Sequence, residues 1–384
     1  MTSFDPAVLD DQDALLRADR AGLLRALASA GAQVRRGIGI LDEYGVERLR
    51  GGDTPRAVLV APDANAPYLS SLIQALASRN APIIDWRDPV LPRWAGPADA
   101  LLVASADGRH PRLAELVAQA DRRGLALAVA APAGSPVAAA AARHPIADVS
   151  YLSPVPPRAV WWALATPALQ ALDALGLADT GHLLEQVADA LDEVAETNRP
   201  DSSAFTGPAK LLAAELAESV PAIAGAGPGG IVAARRVAGA IQLIGGSTAM
   251  AAALPDDVAR IGALLEFAAA ESDIFPDRVE HPRTRPRLVL IGDDAPYFGP
   301  DQPRRDPGQS KWDSLGDEAG RRAAAALGQL ASSRGIGCSR IEVPQAPPLV
   351  RFACAAAIGD FAASYLALAR GIDPSAARLG ELTH

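Results

Sequence analysis

The chain has 384 residues, which at roughly 100–200 residues per domain predicts about two domains. Its composition, 49% hydrophobic and 21% charged, can fill buried cores, and this excludes intrinsically disordered, collagen-like and disulfide-stapled proteins. The 45 acidic residues outnumber the 36 basic ones, and the net charge of −9 would repel a phosphate backbone on average. We therefore expect no nucleic-acid partner.

The two cysteines, Cys338 and Cys354, show neither CxxC spacing nor a nearby histidine pair. This pattern disfavours a disulfide framework and a zinc site, so we expect no metal and no cofactor. Both thiols are interpreted as small core residues of a reduced, cytoplasmic protein. The acidic N-terminus lacks the basic start of a signal peptide, and no run of about 18 uninterrupted apolar residues occurs, so no membrane association is expected.

Residues 7–37 are predicted to form a helix, because their leucines recur near the helical period. Short apolar runs then alternate with helical segments. The predicted strands cover residues 56–61, 82–86, 100–105 and 126–131, and the predicted helices cover 67–79 and 111–123. Continuous apolar strands alternating with helices of about 10–15 residues indicate a parallel sheet covered on both faces. We assign residues 1–176 to a first α/β domain that includes the N-terminal helix.

The second half of the chain, residues 177–384, repeats this alternation. A predicted helix over 181–197 leads into it. The predicted strands cover residues 220–224, 287–291 and 338–343. Two predicted helices begin at residues 208 and 230, and three more cover 256–270, 313–333 and 348–370. The predicted fold class is α/β, with two domains that each contain a mainly parallel sheet flanked by helices. A proline-rich stretch, residues 294–312, follows a strand and is interpreted as either a lid or a mobile insertion.

A glycine-rich turn at residues 225–230 satisfies the GxGxxG pattern between a predicted strand and a helix. Three interpretations stay open: a tight structural turn, a small anion site, or a dinucleotide site. The last is disfavoured because Pro228 removes one N–H from the turn, and the nearest acidic residue, Asp256, lies about 26 residues on rather than about 20.

Another strand-to-helix connection, residues 105–111, has the sequence SADGRHP. Its backbone N–H groups could bind an anion at the start of the helix. Asp107 would oppose a phosphate there, and only Arg109 and His110 could offset that charge. From these residues alone, the loop is as consistent with a plain connection as with a site.

Four segments resemble the bifunctional phosphoglucose/phosphomannose isomerase family, which consists of two SIS (sugar isomerase) domains. They are residues 358–374 at the C-terminus, Pro157-Arg158-Ala159, Pro208-Ala209-Lys210 and residues 232–236, and they occur in the family's order. The resemblance covers roughly residues 50–384. It implies two SIS domains, a sugar-phosphate ligand and a homodimer.

The resemblance also indicates where a phosphate would bind. The family's glycine-rich loop appears here as residues 62–66. Its second phosphate loop appears as residues 105–110, with Asp107 and His110 in place of two hydroxyl residues. The implied sugar-phosphate-binding residues are Asn65, Ser105, Gly108, Arg109 and His110.

At the family's catalytic positions, this sequence departs from the pattern. Leu243 stands where the resemblance implies a glutamate base, Ala259 where it implies a histidine and Thr383 where it implies a lysine. Arg158 is the one retained candidate, as the cation for an enediolate. The resemblance thus predicts a catalytically impaired sugar-phosphate-binding or regulatory protein of carbohydrate-derivative metabolism, a cytoplasmic homodimeric pseudoenzyme.

Two alternatives stay open. The first is an active phosphosugar (aldose–ketose) isomerase in which His110 or the terminal His384 serves as base and Arg158 as electrophile. The second is an interaction module without a ligand, which would agree with the charge of Asp107.

Overall fold

The computed structural model describes residues 4–78, 80–141, 143–152, 155–272, 285–292 and 311–375. Most of the predicted 294–312 loop, together with Thr383 and His384, lies outside the described residues. The chain forms two compact units, an N-terminal unit of residues 21–192 and a C-terminal unit of residues 4–20 and 193–374. The domain division at residue 176 stays a prediction.

The N-terminal unit contains a five-stranded sheet in the order β2-β1-β3-β4-β5, and every pairing in it is parallel. Its strands are β1 (Val58–Pro62), β2 (Ile83–Asp85), β3 (Ala100–Ala104), β4 (Ala126–Ala131) and β5 (Ile146–Asp148). The central strands β1 and β3 are buried along their whole length, as expected for a sheet covered on both faces.

The helices of this unit follow the strands in alternation. They are α2 (Leu23–Ala28), α3 (Ala30–Tyr44), α4 (Leu69–Leu76), α5 (Pro111–Arg123), α6 (Pro136–Ala140), α7 (Trp161–Ala174) and α8 (Leu184–Thr197), the last of which continues into the C-terminal unit. Pro111 begins α5 and Gly124, at φ +73°, ends it, so the predicted bounds of this helix are confirmed.

The C-terminal unit contains a second parallel sheet in the order β7-β6-β8-β9. Its strands are β6 (Ser219–Ala226), β7 (Met250–Leu254), β8 (Arg285–Ile291) and β9 (Cys338–Ile341). Its helices are α1 (Gln12–Ala18), α9 (Pro208–Leu216), α10 (Gly227–Leu243), α11 (Val258–Ser272), α12 (Lys311–Ser333) and α13 (Pro348–Ala369). Two parallel sheets flanked by helices confirm the predicted fold class.

Helix α13 is the central helix of the C-terminal unit. It is the one helix in the described ranges that is long and apolar enough to cross a membrane, and its most apolar 18-residue window is wholly buried inside the structure. That burial is typical of a core helix.

Several sequence-based expectations differ from the structure. The single helix over 7–37 is divided, because Asp11 caps α1 by accepting the Ala14 N–H at 2.9 Å and Gly22 adopts φ +69° before α2. Strand β7 was not predicted, since its sequence, MAAAL, has no β-branched residue. Cys338 is exposed on β9 rather than buried, whereas Cys354 is buried in α13 as predicted.

Candidate functional site

The strand order of the N-terminal unit defines where a ligand would enter. The chain leaves β1 toward β2 on one side and returns to β3 on the other, so the order reverses between β1 and β3. Open parallel sheets bind ligands at the carboxyl ends of strands at such a reversal. The loops there are residues 63–68 and 105–110, which together we name the N-terminal crevice. All five sequence-predicted binding residues lie on these two loops.

The side chain of Asp63 joins the two loops of the N-terminal crevice. Its Oδ2 accepts the backbone N–H of Ala106 at 2.7 Å, and its Oδ1 accepts the backbone N–H of Asn65 at 2.8 Å. Asp63 is only 7% exposed. This burial raises the pKa of the Asp63 carboxyl above its ordinary value, and the two backbone hydrogen bonds oppose the rise.

The loop after β3 bonds to itself in a similar way. The hydroxyl of Ser105, which is fully buried, accepts the backbone N–H of Gly108 at 3.1 Å. The carboxylate of Asp107 accepts the backbone N–H of Arg109 at 2.9 Å. Four backbone N–H groups of the two loops, those of Asn65, Ala106, Gly108 and Arg109, therefore bond to side chains of the crevice.

Gly108 is required at its position for two reasons. Its φ of +63° is unfavourable for residues with a Cβ atom, and a Cβ there would overlap the side chain of Ser135. The carbonyl of Gly108 accepts the N–H of Val137 at 3.1 Å, which fixes the loop against the start of α6.

His110 is the N-cap of α5. Its Nδ1 accepts the backbone N–H of Arg112 at 3.3 Å, and the ring is half-buried. In that arrangement the neutral ring carries its proton on Nε2, so a role as general base would require the cap to break. Arg109 beside it is exposed.

Arg112 belongs to the same edge of the sheet and was not singled out from the sequence. Its guanidinium donates to the carbonyl of Trp86 at 3.1 Å and to that of Pro62, the last residue of β1, at 3.2 Å. Burial lowers the pKa of Arg112, and the neighbouring charge of Arg87 adds to this. Its sequence neighbours gave no signal for this role, because both acceptors are backbone atoms of distant segments.

The candidate Arg158 is on a third segment of the N-terminal unit, a short 3₁₀ turn, Pro157–Ala159, between β5 and α7. It is half-buried. The turn is held by Gln33, whose amide donates to the carbonyl of Ala159 at 2.8 Å and accepts the N–H of Ala163 at 3.3 Å. Arg158 is thus carried by a fixed backbone.

In the C-terminal unit, the residues at the positions that the resemblance implies for the base and the histidine lie on helix surfaces. Leu243 is the last residue of α10 and is 42% exposed, and Ala259 is exposed in the first turn of α11. Neither side chain can transfer a proton.

Lys210, from the family-like Pro208-Ala209-Lys210 segment, is fully buried and bonded to the backbone. Its Nζ donates to the carbonyls of Leu9, Pro200 and Ser202 at 2.6–2.7 Å. All three partners are main-chain oxygens of the C-terminal unit. This lysine therefore stabilises the fold.

The glycine-rich turn at residues 225–230 has a local structural explanation. A Cβ on Gly225 would overlap the carbonyl group of Gly230, and Gly227 adopts φ +68° at the start of α10. These constraints favour the tight-turn interpretation of the three left open by the sequence.

Comparison with known proteins agrees with the fold. Residues 205–379 match the family described as the bacterial phospho-glucose isomerase C-terminal SIS domain. A search of curated proteins gives no match.

Solved structures match along nearly the whole chain. A hypothetical protein from Thermus thermophilus superposes with a TM-score of 0.60 at 16% identity, covering 100% of this chain and 98% of that one. A proposed phosphosugar isomerase from Clostridium difficile 630 gives 0.57 at 11% identity, covering 92% and 95%. Another from Silicibacter pomeroyi DSS-3 gives 0.54 at 17% identity, covering 92% and 99%.

At these identities the solved structures establish the fold alone. The resemblance read from the sequence is confirmed for residues 205–379, which match the bacterial phospho-glucose isomerase C-terminal SIS domain.

Proposed function

We propose that this protein binds sugar phosphates without isomerising them and serves a regulatory role, as a cytoplasmic homodimer. The observation that carries the proposal is the pair Leu243 and Ala259, two surface residues without an ionisable group at the positions implied for the base and the ring-opening histidine. The SIS fold supports a relationship to phosphosugar isomerases.

The chemistry of isomerisation explains why this pair matters. An aldose–ketose conversion moves a proton between C1 and C2, and a positioned base contributes about 10²–10⁴-fold to such a step. Leucine cannot accept a proton, and alanine cannot open a sugar ring. The lysine position, Thr383, lies outside the described residues. Arg158 is the group we assign to the bound sugar, as a cation held on its fixed turn.

The N-terminal crevice is the binding site that we propose. Asn65, Ser105, Gly108, Arg109 and His110 lie on its two loops, and the exposed guanidinium of Arg109 supplies a positive charge. Because four of the loop N–H groups already bond to side chains, we expect modest affinity.

The test combines turnover with binding. Purified protein is incubated with glucose-6-phosphate or mannose-6-phosphate, and fructose-6-phosphate is measured against a heat-killed control. Thermal-shift titrations follow with glucose, mannose, fructose and glucosamine phosphates. We expect no turnover above the control and a rise in Tm, since ligand at 100 times its Kd adds about 2.7 kcal/mol. The rise should be lost in Arg158→Ala. Measurable turnover would overturn the proposal.

The internal bonding of the crevice also favours a second candidate, an interaction module without a small ligand. In that case the Tm would stay unchanged across the whole panel in both proteins. The active-isomerase alternative has its own signature, which is turnover that His110→Ala abolishes while binding is retained.

A further inference from the structure

We propose that Asp63 determines what the N-terminal crevice accepts, because its carboxylate occupies the position that the phosphate group of a ligand would take. A phosphate must therefore displace an anion that the protein itself supplies. This inference deepens the proposed function and rests on it, since it concerns the same site.

The topology fixes the position independently of any relative. The reversal of strand order between β1 and β3 brings residues 63–68 and 105–110 to one edge of the sheet. Backbone N–H groups at such loops, next to the N-terminus of α5, favour negative charge. A ligand phosphate at this edge would be held by N–H groups from both loops.

The structure shows an anion already bonded to both loops. One oxygen of Asp63 accepts the N–H of Asn65 on its own loop, and the other accepts the N–H of Ala106 across the crevice. The two donors are 41 positions apart in sequence. A carboxylate that accepts from two loops in this way uses the donors that a bound phosphate would use.

Asp63 differs in this from the other carboxylate of the crevice. Asp107 is exposed, and within the described part of the chain it accepts only the N–H of Arg109, two residues on, which is a local turn. Asp63 is buried, and its bond to Ala106 joins loops that follow separate strands. A phosphate beside an ionised Asp63 would meet both an occupied donor set and a like charge.

The competing explanation is that Asp63 is only a structural clamp between the loops. Both explanations predict that its removal lowers stability. They differ in binding, since only a carboxylate that competes with the ligand predicts tighter phosphate binding when the charge is removed. Affinity therefore distinguishes the two.

The experiment measures phosphate binding by calorimetry at constant ionic strength. Inorganic phosphate, glucose-6-phosphate and unphosphorylated glucose are titrated into the full-length wild type, Asp63→Asn and Asp63→Ser. Asparagine keeps the shape and one acceptor oxygen, and serine keeps one acceptor, so either variant retains part of the clamp. Asp88→Asn is the matched control, because Asp88 is an exposed carboxylate of the same unit that accepts one backbone N–H, that of Val90, at 2.8 Å.

We expect Asp63→Asn and Asp63→Ser to bind phosphate and glucose-6-phosphate at least about tenfold more tightly than the wild type, the scale of one charge-assisted hydrogen bond. The phosphate affinity of Asp88→Asn should stay within about twofold of that of the wild type, and no variant should bind glucose more tightly than the wild type does. In amide NMR spectra, phosphate should shift the Ala106 and Asn65 N–H signals in the Asp63 variants.

Three other results would overturn the inference. If the wild type binds and the Asp63 variants bind equally or more weakly, Asp63 is only a clamp and the proposed function stands. If Asp88→Asn gains as much as Asp63→Asn, the effect is one of net charge. If no protein binds any sugar phosphate, the proposed function fails with it.

Discussion

Arg236 on α10 and Asp360 on α13 form a buried ion pair, with 2.7 Å between Nη2 of the arginine and Oδ2 of the aspartate. Oδ1 of Asp360 has no hydrogen-bond partner within the described ranges. The pair joins two long, closely packed helices of the C-terminal unit, and both residues come from segments that resemble the isomerase family. Burial raises the pKa of Asp360 to about 6, although the neighbouring Arg236 lowers it.

The raised pKa of Asp360 predicts a dependence of stability on pH. The folded state keeps the Asp360 proton to a higher pH than the unfolded chain does. The contribution of Asp360 to the free energy of unfolding therefore falls as pH rises between about 4 and 6. Denaturation of the wild type and of Asp360→Asn across this range should show that the free energy of unfolding of the wild type decreases relative to that of the variant. A wild type that gains relative stability over the same range would mean that Arg236 outweighs burial.

The same ion pair predicts strong coupling between two substitutions. Asp360→Leu leaves the Arg236 guanidinium buried without its counter-ion and should cost about 3–5 kcal/mol. The double variant Arg236→Met/Asp360→Leu removes both charges and should be clearly more stable than Asp360→Leu alone. Urea denaturation of the single and double variants measures the coupling. Strictly additive effects would contradict the account of the pair.

Replacing Lys210 should destabilise the C-terminal unit. In Lys210→Met, the three carbonyls of Leu9, Pro200 and Ser202 lose their shared donor, and we expect a loss of about 2–4 kcal/mol in the free energy of unfolding. Residues 4–20 should also become more susceptible to proteolysis. Leu211→Ala is the matched control, since Leu211 is the next residue on α9 and is substantially exposed. Equal losses in both variants would count against the buried network.

The stability cost of a Cβ atom at Gly108 can be compared with the cost at another glycine of similar conformation. Gly134 has φ +74°, and a Cβ added there would meet no atom within 4 Å, so Gly134→Ala carries only the backbone cost of about 1 kcal/mol. Gly108→Ala adds the overlap with Ser135 and should cost about 1–3 kcal/mol more. Thermal denaturation compares the two. If both variants lose the same stability, the packing of the crevice is looser than described.

Sequence patterns predicted the elements whose ends carry local signals. Helix α5 was predicted at its observed bounds, because Pro111 and Gly124 specify its two ends. Strand β7 was not found, because an alanine-rich strand has the composition of a helix and is decided by its pairing with β6.

The candidate site could be predicted only in part. The sequence placed Ser105 and Gly108 on a strand-to-helix loop, but it gave Asp63 no role. The bond from Ala106 to Asp63 depends on the parallel pairing of β1 with β3, which brings together residues 43 positions apart. The bond from Lys210 to the carbonyl of Leu9 could not be predicted either, because the two residues are distant in sequence.

The most direct test of the proposed function is a ³¹P NMR time course of glucose-6-phosphate with the wild-type protein. We predict that the glucose-6-phosphate resonance broadens or shifts with protein concentration while no fructose-6-phosphate resonance develops above that of a heat-killed control. A growing fructose-6-phosphate resonance that depends on native protein would contradict the account.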